Sequence, residues 1–273
     1  MERANQKSTS LGSIIVVAAI ALLQGCATQL AILPASNTND PDAATARHAL
    51  QFQSSSIAPR GGEALLPPEG LRPGDIILSS MSSLSSAGIQ LMTLAPVSHA
   101  AVYIGDWKVV EAVRPGVRIR QLDELLAEEN VVLALRYPGL SAEQARDIGR
   151  HALQKVGAGF NFLGVTLHVP FAVKRVVCEV PLMPSALRDA CIRSIGVIHH
   201  LAASENRFFC SQLVLQAYQQ AGVPITDADP RLISPADILH MREGDVPSIS
   251  IHKPLRFVGH LKYQLEKIAA LEQ

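Results

Sequence analysis

The chain opens with an apolar segment that limits which residues can belong to a folded domain. Arg3 and Lys7 precede an apolar run from Leu11 to Leu23. A membrane-spanning helix needs about 20 apolar residues, and this run falls well short of that length. A basic start followed by a short apolar run is typical of a secretory signal peptide, which is removed from the mature protein. We therefore predict that residues 1–25 are a signal peptide and that folding begins after them.

The signal peptide ends at a cysteine. Leu23-Gln24-Gly25-Cys26 places a small residue directly before the thiol. This sequence resembles the bacterial lipobox, in which the cysteine takes a diacylglyceryl group and becomes the new N-terminus. The alternative is an ordinary secretory signal, but no A-x-A-like cleavage site follows. The resemblance implies a lipid on Cys26, with acyl chains such as palmitate. By the same resemblance, the non-acidic Ala27 implies an outer-membrane location facing the periplasm of the cell envelope.

Charge and composition exclude some partners. The chain has 24 basic and 24 acidic side chains, and loss of Glu2, Arg3 and Lys7 leaves a net charge near −1. A neutral chain has no electrostatic reason to bind nucleic acid, so we expect none as a partner. Hydrophobic residues make up 48% of the chain, which is enough to bury a core.

Composition also divides the mature chain. Residues 26–70 are rich in proline, glycine, serine and asparagine, and we predict a flexible tether that carries the lipid at one end. From Leu71 to Gly259 the sequence is globular in character, and we assign 71–259 to one folded domain. The remaining residues, 260–273, are predicted to form a C-terminal helical tail.

The globular part mixes strand and helix signals without regular alternation. Strands are predicted at 76–78, 99–104, 109–113, 117–120 and 131–136, and helices at 84–94, 141–156 and 210–220, with a short one from Ser234-Pro235. Ser141 with Gln144 forms a capping box, and Pro235 suits the first position of a helix. Clustered strands between helical segments favour an α+β fold.

Two segments carry residues suited to nucleophilic chemistry. His99 opens an apolar strand, where the simple alternative is a half-buried, hydrogen-bonded histidine. Cys210 falls where a helix begins, directly after Phe208-Phe209. A buried structural cysteine is the alternative there, but the free N–H groups of a helix start stabilise a thiolate and lower its pKa.

Taken together, these segments resemble a known family, the circularly permuted papain-fold amidases of the NlpC superfamily, including the YaeF-like lipoproteins. The matching segments run in order along two thirds of the chain: Arg72-Pro73-Gly74-Asp75-Ile76-Ile77-Leu78, Ser98-His99 to Gly105, Glu111-Ala112, Phe209 to Val214 with Ala217-Tyr218, and Ser234-Pro235-Ala236-Asp237. The histidine precedes the cysteine, as in the permuted branch. The resemblance implies a cysteine-bearing helix packed on an antiparallel sheet that carries the histidine.

In such an arrangement Cys210 attacks a carbonyl as a thiolate, and His99 moves the proton. Glu111 is our choice for the group that orients the imidazole. A three-residue loop after Tyr103 would place His99 directly opposite Glu111, whereas a two-residue loop would pair His99 with Ala112. The family resemblance favours the first register.

The remaining candidates carry less weight. Asp106 and Asp123 are weaker orienting groups, and Glu111 as a plain surface carboxylate stays open. The backbone N–H of Cys210 is a natural oxyanion donor. We expect Asp75 to hydrogen-bond within the turn before the first strand. His199-His200 has no cysteine or carboxylate in metal-ligand spacing, so we predict no metal site, and no cofactor motif is present.

The two other cysteines suggest a disulfide. Cys26 is blocked by lipid and Cys210 must stay reduced, which leaves Cys178 and Cys191. An oxidising compartment favours pairing of such a couple, and Pro181 and Pro184 supply turns between them. Two buried, reduced cysteines are the alternative.

Three functions remain open from the sequence. The first is a membrane-anchored thiol hydrolase that cleaves an amide bond in a peptide or a peptidoglycan-derived substrate. The second is an acyltransferase or lipid-directed hydrolase on an acyl substrate, for which the apolar stretch Leu163 to Val177 offers a pocket wall. The third is a non-catalytic envelope lipoprotein that retains the fold.

Overall fold

A computed structural model gives the fold. It describes residues 27–33, 47–54, 56–58, 65–81, 97–161, 176–180, 183–196 and 207–263. Cys26, the helix predicted at 84–94, His199-His200 and most of the stretch Leu163 to Val177 lie outside these residues.

An antiparallel sheet of six strands forms the centre of the domain, in the spatial order β10-β7-β3-β4-β5-β6. Its strands are β3 (Ile76–Met81), β4 (His99–Gly105), β5 (Lys108–Ala112), β6 (Val117–Gln121), β7 (Glu129–Arg136) and β10 (Arg256–Tyr263). Two small two-stranded sheets accompany it, one of β1 (Thr28–Leu33) with β2 (Arg47–Phe52) and one of β8 (Gly159–Phe160) with β9 (Arg207–Phe208).

The helices are α1 (Leu122–Glu128), α2 (Ala142–Leu153), α3 (Ser185–Gly196), α4 (Cys210–Gln220) and α5 (Pro235–His240). Capping boxes begin two of them: Ser141 with Gln144 at α2, and Ser234 with Asp237 at α5. The helix predicted at 210–220 has the same bounds as α4 in the structure. Each predicted strand lies within one of the strands β3 to β7 or extends past it by one residue at most. An α+β fold is thereby confirmed.

Alternation along the strands separates the sheet into two apolar faces. One face includes Leu78, Val102 and Leu133, and it packs with Leu213 and Tyr218 of α4 in the larger core. The other face includes residues such as Ile77, Ala101 and Val132, which pack with Leu122 and Leu125 of α1. Burial on both faces explains why these strands read as nearly continuous apolar runs.

The turn before β3 is fixed by a buried ion pair. The Asp75 carboxylate accepts a hydrogen bond from the backbone N–H of Arg72 at 2.8 Å, as predicted for this turn. It also receives two bonds from the Arg136 guanidinium, both at 2.7 Å. The Tyr218 hydroxyl donates to the Gly74 carbonyl and so connects α4 to the same turn. Asp75 therefore has a structural place in the fold.

The prediction of a flexible tether over 26–70 is wrong for much of that segment. Strands β1 and β2 pair along their whole length, from Thr28 opposite Phe52 to Leu33 opposite Arg47. The residue after β2 binds the domain, since the Gln53 side chain donates to the Val246 carbonyl at 3.0 Å and to Ser248 at 3.2 Å. The local composition suggested disorder. It cannot reveal the hydrogen-bond partners that order this segment, because those partners lie about 190 residues away in sequence.

A buried arginine holds the end of the same segment. Arg242, 2% exposed, donates to the carbonyls of Ser56 and Ile57, the former at 2.5 Å. Its charge is balanced by the Asp245 carboxylate at 3.0 Å, which also accepts from the Ser54 backbone N–H at 2.8 Å. The chain before the sheet is thus bound to the domain at several points.

The predicted helical tail over 260–273 is wrong at its start, because 260–263 belong to strand β10. That strand pairs with β7, with bulges after Phe257 and after His260. The bulges break the alternation that would have marked a strand in the sequence. Residues 264–273 lie outside the described part. Among the residues that the structure describes, no helix combines the length and apolar character needed to cross a bilayer.

Candidate active site

Cys210 is the first residue of α4, and the chain reaches it in an extended conformation through Phe209. The first intrahelical bond of this turn runs from the N–H of Leu213 to the carbonyl of Phe209, which leaves the earlier N–H groups of the turn without intrahelical partners. The backbone of Ser211 and that of Ala100 on β4 hydrogen-bond the sulfur. Cys210 is partly exposed, and among the described cysteines it alone is unpaired.

His99 is the first residue of β4 and is only 7% exposed. Its side chain hydrogen-bonds the thiol of Cys210. The ring nitrogen Nε2 lies 2.8 Å from Oε2 of Glu111. With Nε2 turned to the carboxylate, Nδ1 is the ring nitrogen that remains for the thiol. The structure therefore brings Cys210, His99 and Glu111 into one line of contacts.

The strand register that achieves this differs from both alternatives drawn from the sequence. Glu111 lies opposite Ala101, so His99 and Glu111 are diagonal neighbours on one face of the sheet. The reason is a bulge between Tyr103 and Gly105, followed by a turn in which Asp106 and Trp107 both adopt positive φ, 50° and 58°. The predicted direct pairing is wrong. A shift of two residues keeps a side chain on the same face, so the predicted contact still forms.

Glu111 is fully buried and is surrounded by cations. Arg118 donates from Nε to Glu111 Oε1 at 2.8 Å, and its Nη2 lies 2.8 Å from the same oxygen. Arg120 Nη1 is 3.7 Å from that oxygen. Burial disfavours the charge of the carboxyl, but the hydrogen bond from His99 and the neighbouring positive groups outweigh it. They lower the pKa of Glu111 to about 2. The carboxylate stays ionised at neutral pH.

The electrostatics of the other two residues are linked. Burial opposes the charge of His99, yet its hydrogen bonds to Cys210 and to Glu111 raise the pKa of the imidazole to about 10. Burial likewise opposes the thiolate, but the hydrogen bond and charge of His99 lower the pKa of Cys210. Both shifts favour a thiolate–imidazolium pair, which is the reactive form of a nucleophilic cysteine.

Sequence reasoning missed the charges behind Glu111. Arg118 and Arg120 lie on the same face as Glu111, because Arg118 is the direct partner of Glu111 between β5 and β6. Val117-Arg118-Ile119-Arg120 alternates apolar and basic residues, and pairing this strand with β5 would have found both arginines. Glu129 at the start of β7 is also buried, 3.9 Å from Arg120 Nη1, and burial raises its pKa. No sequence signal marks Glu129.

The other sequence candidates are elsewhere. Asp106 lies in the turn at the far end of β4 from His99, and the Asp123 side chain accepts from the backbone N–H of Glu124 in the first turn of α1. Cys178 and Cys191 form a disulfide with a Cα separation of 5.6 Å. Within the described ranges, no group of histidine, cysteine and carboxylate side chains is arranged to hold a metal ion.

Comparison with known proteins decides the family. Residues 70–166 match the family of permuted papain-like amidase enzymes described as YaeF/YiiX, C92. The chain is 33% identical over 245 residues to the probable lipoprotein peptidase YaeF of Escherichia coli K12, which covers 88% of this chain and 89% of that protein. The chain belongs to this family. It is therefore an enzyme of the cysteine peptidase and amidase class with a permuted papain-like fold, as the sequence motifs predicted.

The family match contains His99 and Glu111 and ends before Cys210, whereas the alignment with YaeF extends over most of the chain. A solved structure, that of the metalloprotein yiiX from Escherichia coli O157:H7, is 19% identical and covers 71% of this chain and 98% of its own, with a TM-score of 0.42.

Proposed function

We propose that the protein is a membrane-anchored thiol hydrolase that cleaves an amide bond, with Cys210 as nucleophile, His99 as acid and base, and Glu111 as the residue that orients His99. The observation that carries the proposal is the continuous line of hydrogen bonds from Glu111 through His99 to Cys210. This line of hydrogen bonds explains why these three residues are chosen. A non-catalytic protein with the same fold would have no need of such a line.

The chemistry follows from the ion pair. The Cys210 thiolate attacks the carbonyl carbon, and the electron pair of the carbonyl bond moves to the oxygen, which the backbone N–H of Cys210 at the start of α4 stabilises. His99 gives its proton to the leaving amine as the tetrahedral intermediate collapses to an acyl-enzyme. Water, deprotonated by His99, then attacks the acyl group and releases the thiolate. Glu111 stabilises the imidazolium throughout.

The substrate class is proposed from the same chemistry and from the relative. An activated thiolate next to a proton donor suits amides, because the leaving amine needs a proton. The curated relative is named a probable lipoprotein peptidase. We propose a peptide or a cell-wall-type stem peptide as the substrate.

The catalytic pair is tested by Cys210→Ala and His99→Ala. Each should abolish nearly all turnover while the protein remains folded, because members of such a unit act together. His252→Ala is the matched control, since this half-exposed histidine also contacts a carboxylate, that of Asp227, at 3.0 Å. Wild-type turnover of an established substrate in the Cys210→Ala, His99→Ala double variant would refute the assignment. Incubation of the wild type with cell-envelope extract, followed by mass analysis of the Cys210 peptide, should trap the acyl group and identify the substrate.

The anchor is tested separately. Cys26→Ser should remove lipid labelling and leave the precursor unprocessed or the protein soluble. Unchanged membrane fractionation and electrophoretic mobility of this variant would show that Cys26 carries no anchor. A lipid-anchored place in the cell envelope, at the outer membrane and facing the periplasm, is part of the proposal.

A further inference from the structure

The β1–β2 hairpin exposes an apolar surface. Thr28 lies opposite Phe52 and Leu30 opposite Leu50, and partners in a strand pair point to the same face. Leu30 is 61% exposed, Phe52 58% and Leu50 39%. These three side chains, which we call the hairpin patch, are grouped on one small sheet, whereas exposed apolar residues in isolation are ordinary.

The hairpin is fixed to the rest of the protein. The Gln51 side chain, one residue from Leu50 and therefore on the opposite face, donates to the carbonyl of Gly244 at 2.8 Å. Arg188 of α3 donates to the Thr28 carbonyl at 3.3 Å. The backbone N–H of Gln53 donates to the carbonyl of Ala27 at 3.0 Å, and Ala27 is fully buried. The orientation of the hairpin patch is thus set by the domain.

This attachment reaches the residue next to Cys26. A chain spans at most about 3.6 Å per residue, so Cys26 lies within about 14 Å of Leu30 even when fully extended. A lipid on Cys26 would therefore be held beside the hairpin patch, with no long free segment between the lipid and the domain. We propose that the hairpin patch docks into the interfacial layer of the bilayer that receives the Cys26 lipid, and so fixes the domain against the membrane surface.

A bilayer fits the patch better than a protein partner does. Apolar side chains of interfacial segments insert to a depth of about 5–10 Å, which suits side chains this close to an acyl chain. Anchoring by lipid and by a second contact is stronger than by either alone, because the second contact forms at high effective concentration. The inference rests on the anchor in the proposed function and is independent of the catalytic assignment.

The test uses tryptophan fluorescence of the full lipidated protein in vesicles of phosphatidylethanolamine and phosphatidylglycerol, with or without brominated acyl chains. The chain has one tryptophan, Trp107, so Trp107→Phe gives a silent background. Phe52→Trp in this background should lose much of its emission in brominated vesicles and shift to shorter wavelength. Leu153→Trp, at an α2 site that is 40% exposed, is the matched control and should show neither change.

Mass analysis of the N-terminal peptide makes the outcomes separable. Lipid on Cys26 without quenching of the Phe52→Trp variant overturns the docking and leaves the anchor standing. Equal quenching of the Phe52→Trp and Leu153→Trp variants overturns a specific contact, and cross-links between hairpins of two copies assign the patch to self-association instead. Absence of lipid on Cys26 overturns the anchor and the docking together. An unchanged alkylation rate of Cys210 shows that each variant is folded.

Discussion

Glu111→Gln is the substitution that tests the orienting role most directly, because it removes a charge and leaves the shape of the side chain. The amide oxygen can still accept the hydrogen bond from Nε2 of His99. What disappears is the negative charge between His99, Arg118 and Arg120, which lie 2.8, 2.8 and 3.7 Å from the carboxylate oxygens. The imidazolium of the reactive pair is then left facing two guanidinium groups.

The expected size follows from the electrostatics of the buried carboxyl. A pKa of about 2 in place of 4.5 means that the surroundings favour the charged form of Glu111 by about 3 kcal/mol. A neutral hydrogen bond retains about 1 kcal/mol of this. Arg118 and Arg120 also contribute to the remainder, so the thiolate–imidazolium pair should lose up to about 2 kcal/mol relative to the neutral pair, which corresponds to a change of up to about 30-fold in their equilibrium.

Alkylation of Cys210 by iodoacetamide as a function of pH measures this equilibrium without a substrate. In the wild type the lowered pKa of Cys210 should extend fast alkylation well to the acid side of pH 9. In Glu111→Gln the rise of the alkylation rate should move to higher pH by up to about 1.5 pH units, the shift that 2 kcal/mol produces. Glu128→Gln is the control, since this 63% exposed carboxylate contacts Arg120 without touching His99. A folded Glu111→Gln protein with the wild-type profile would refute the reasoning.

Two other predictions concern the fold. Arg242→Met should destabilise the protein by about 3–5 kcal/mol in urea unfolding, because it leaves Asp245 and two backbone carbonyls short of a buried partner. The exposed Arg150→Met should change stability by less than about 0.5 kcal/mol. Loss of the disulfide in Cys178→Ala, Cys191→Ala should cost about 3 kcal/mol for its short loop, and non-reducing peptide mapping that finds both thiols free would contradict the pairing.

The parts of the fold that the sequence could predict are those fixed by local chemistry. The cap at Ser141, the helix beginning at Cys210 and the apolar strands depend on neighbours within a few residues, so their bounds were accessible. The register of β4 against β5 was not, because a single bulge at Ile104 shifts every pair beyond it. The binding of Ser56 and Ile57 by Arg242 was also hidden, since the partners are about 185 residues apart in sequence.

The same distinction applies within the site. His99 and Cys210 were chosen because each begins an element that positions it, and the structure brings their side chains together. Glu111 was reached by the family resemblance and by alternation, and its contact survives an incorrect register because the error was an even number of residues. Glu129 was missed because its burial depends on packing at the end of β7 beside Arg120.

Glu111 should also contribute to stability, and its pH dependence separates that contribution from its role in the site. Its pKa is lower in the folded protein than in the unfolded chain, so the contribution is fully present above pH 4.5 and is lost as the pH falls toward 2. The difference in unfolding free energy between the wild type and Glu111→Gln should therefore shrink between these pH values and stay constant from pH 5 to 7. The difference in Cys210 alkylation rate between the wild type and Glu111→Gln is set by the thiolate–imidazolium pair, and it appears at higher pH. If Glu111 served only the fold, the acid-dependent stability difference would remain while the two alkylation profiles coincided.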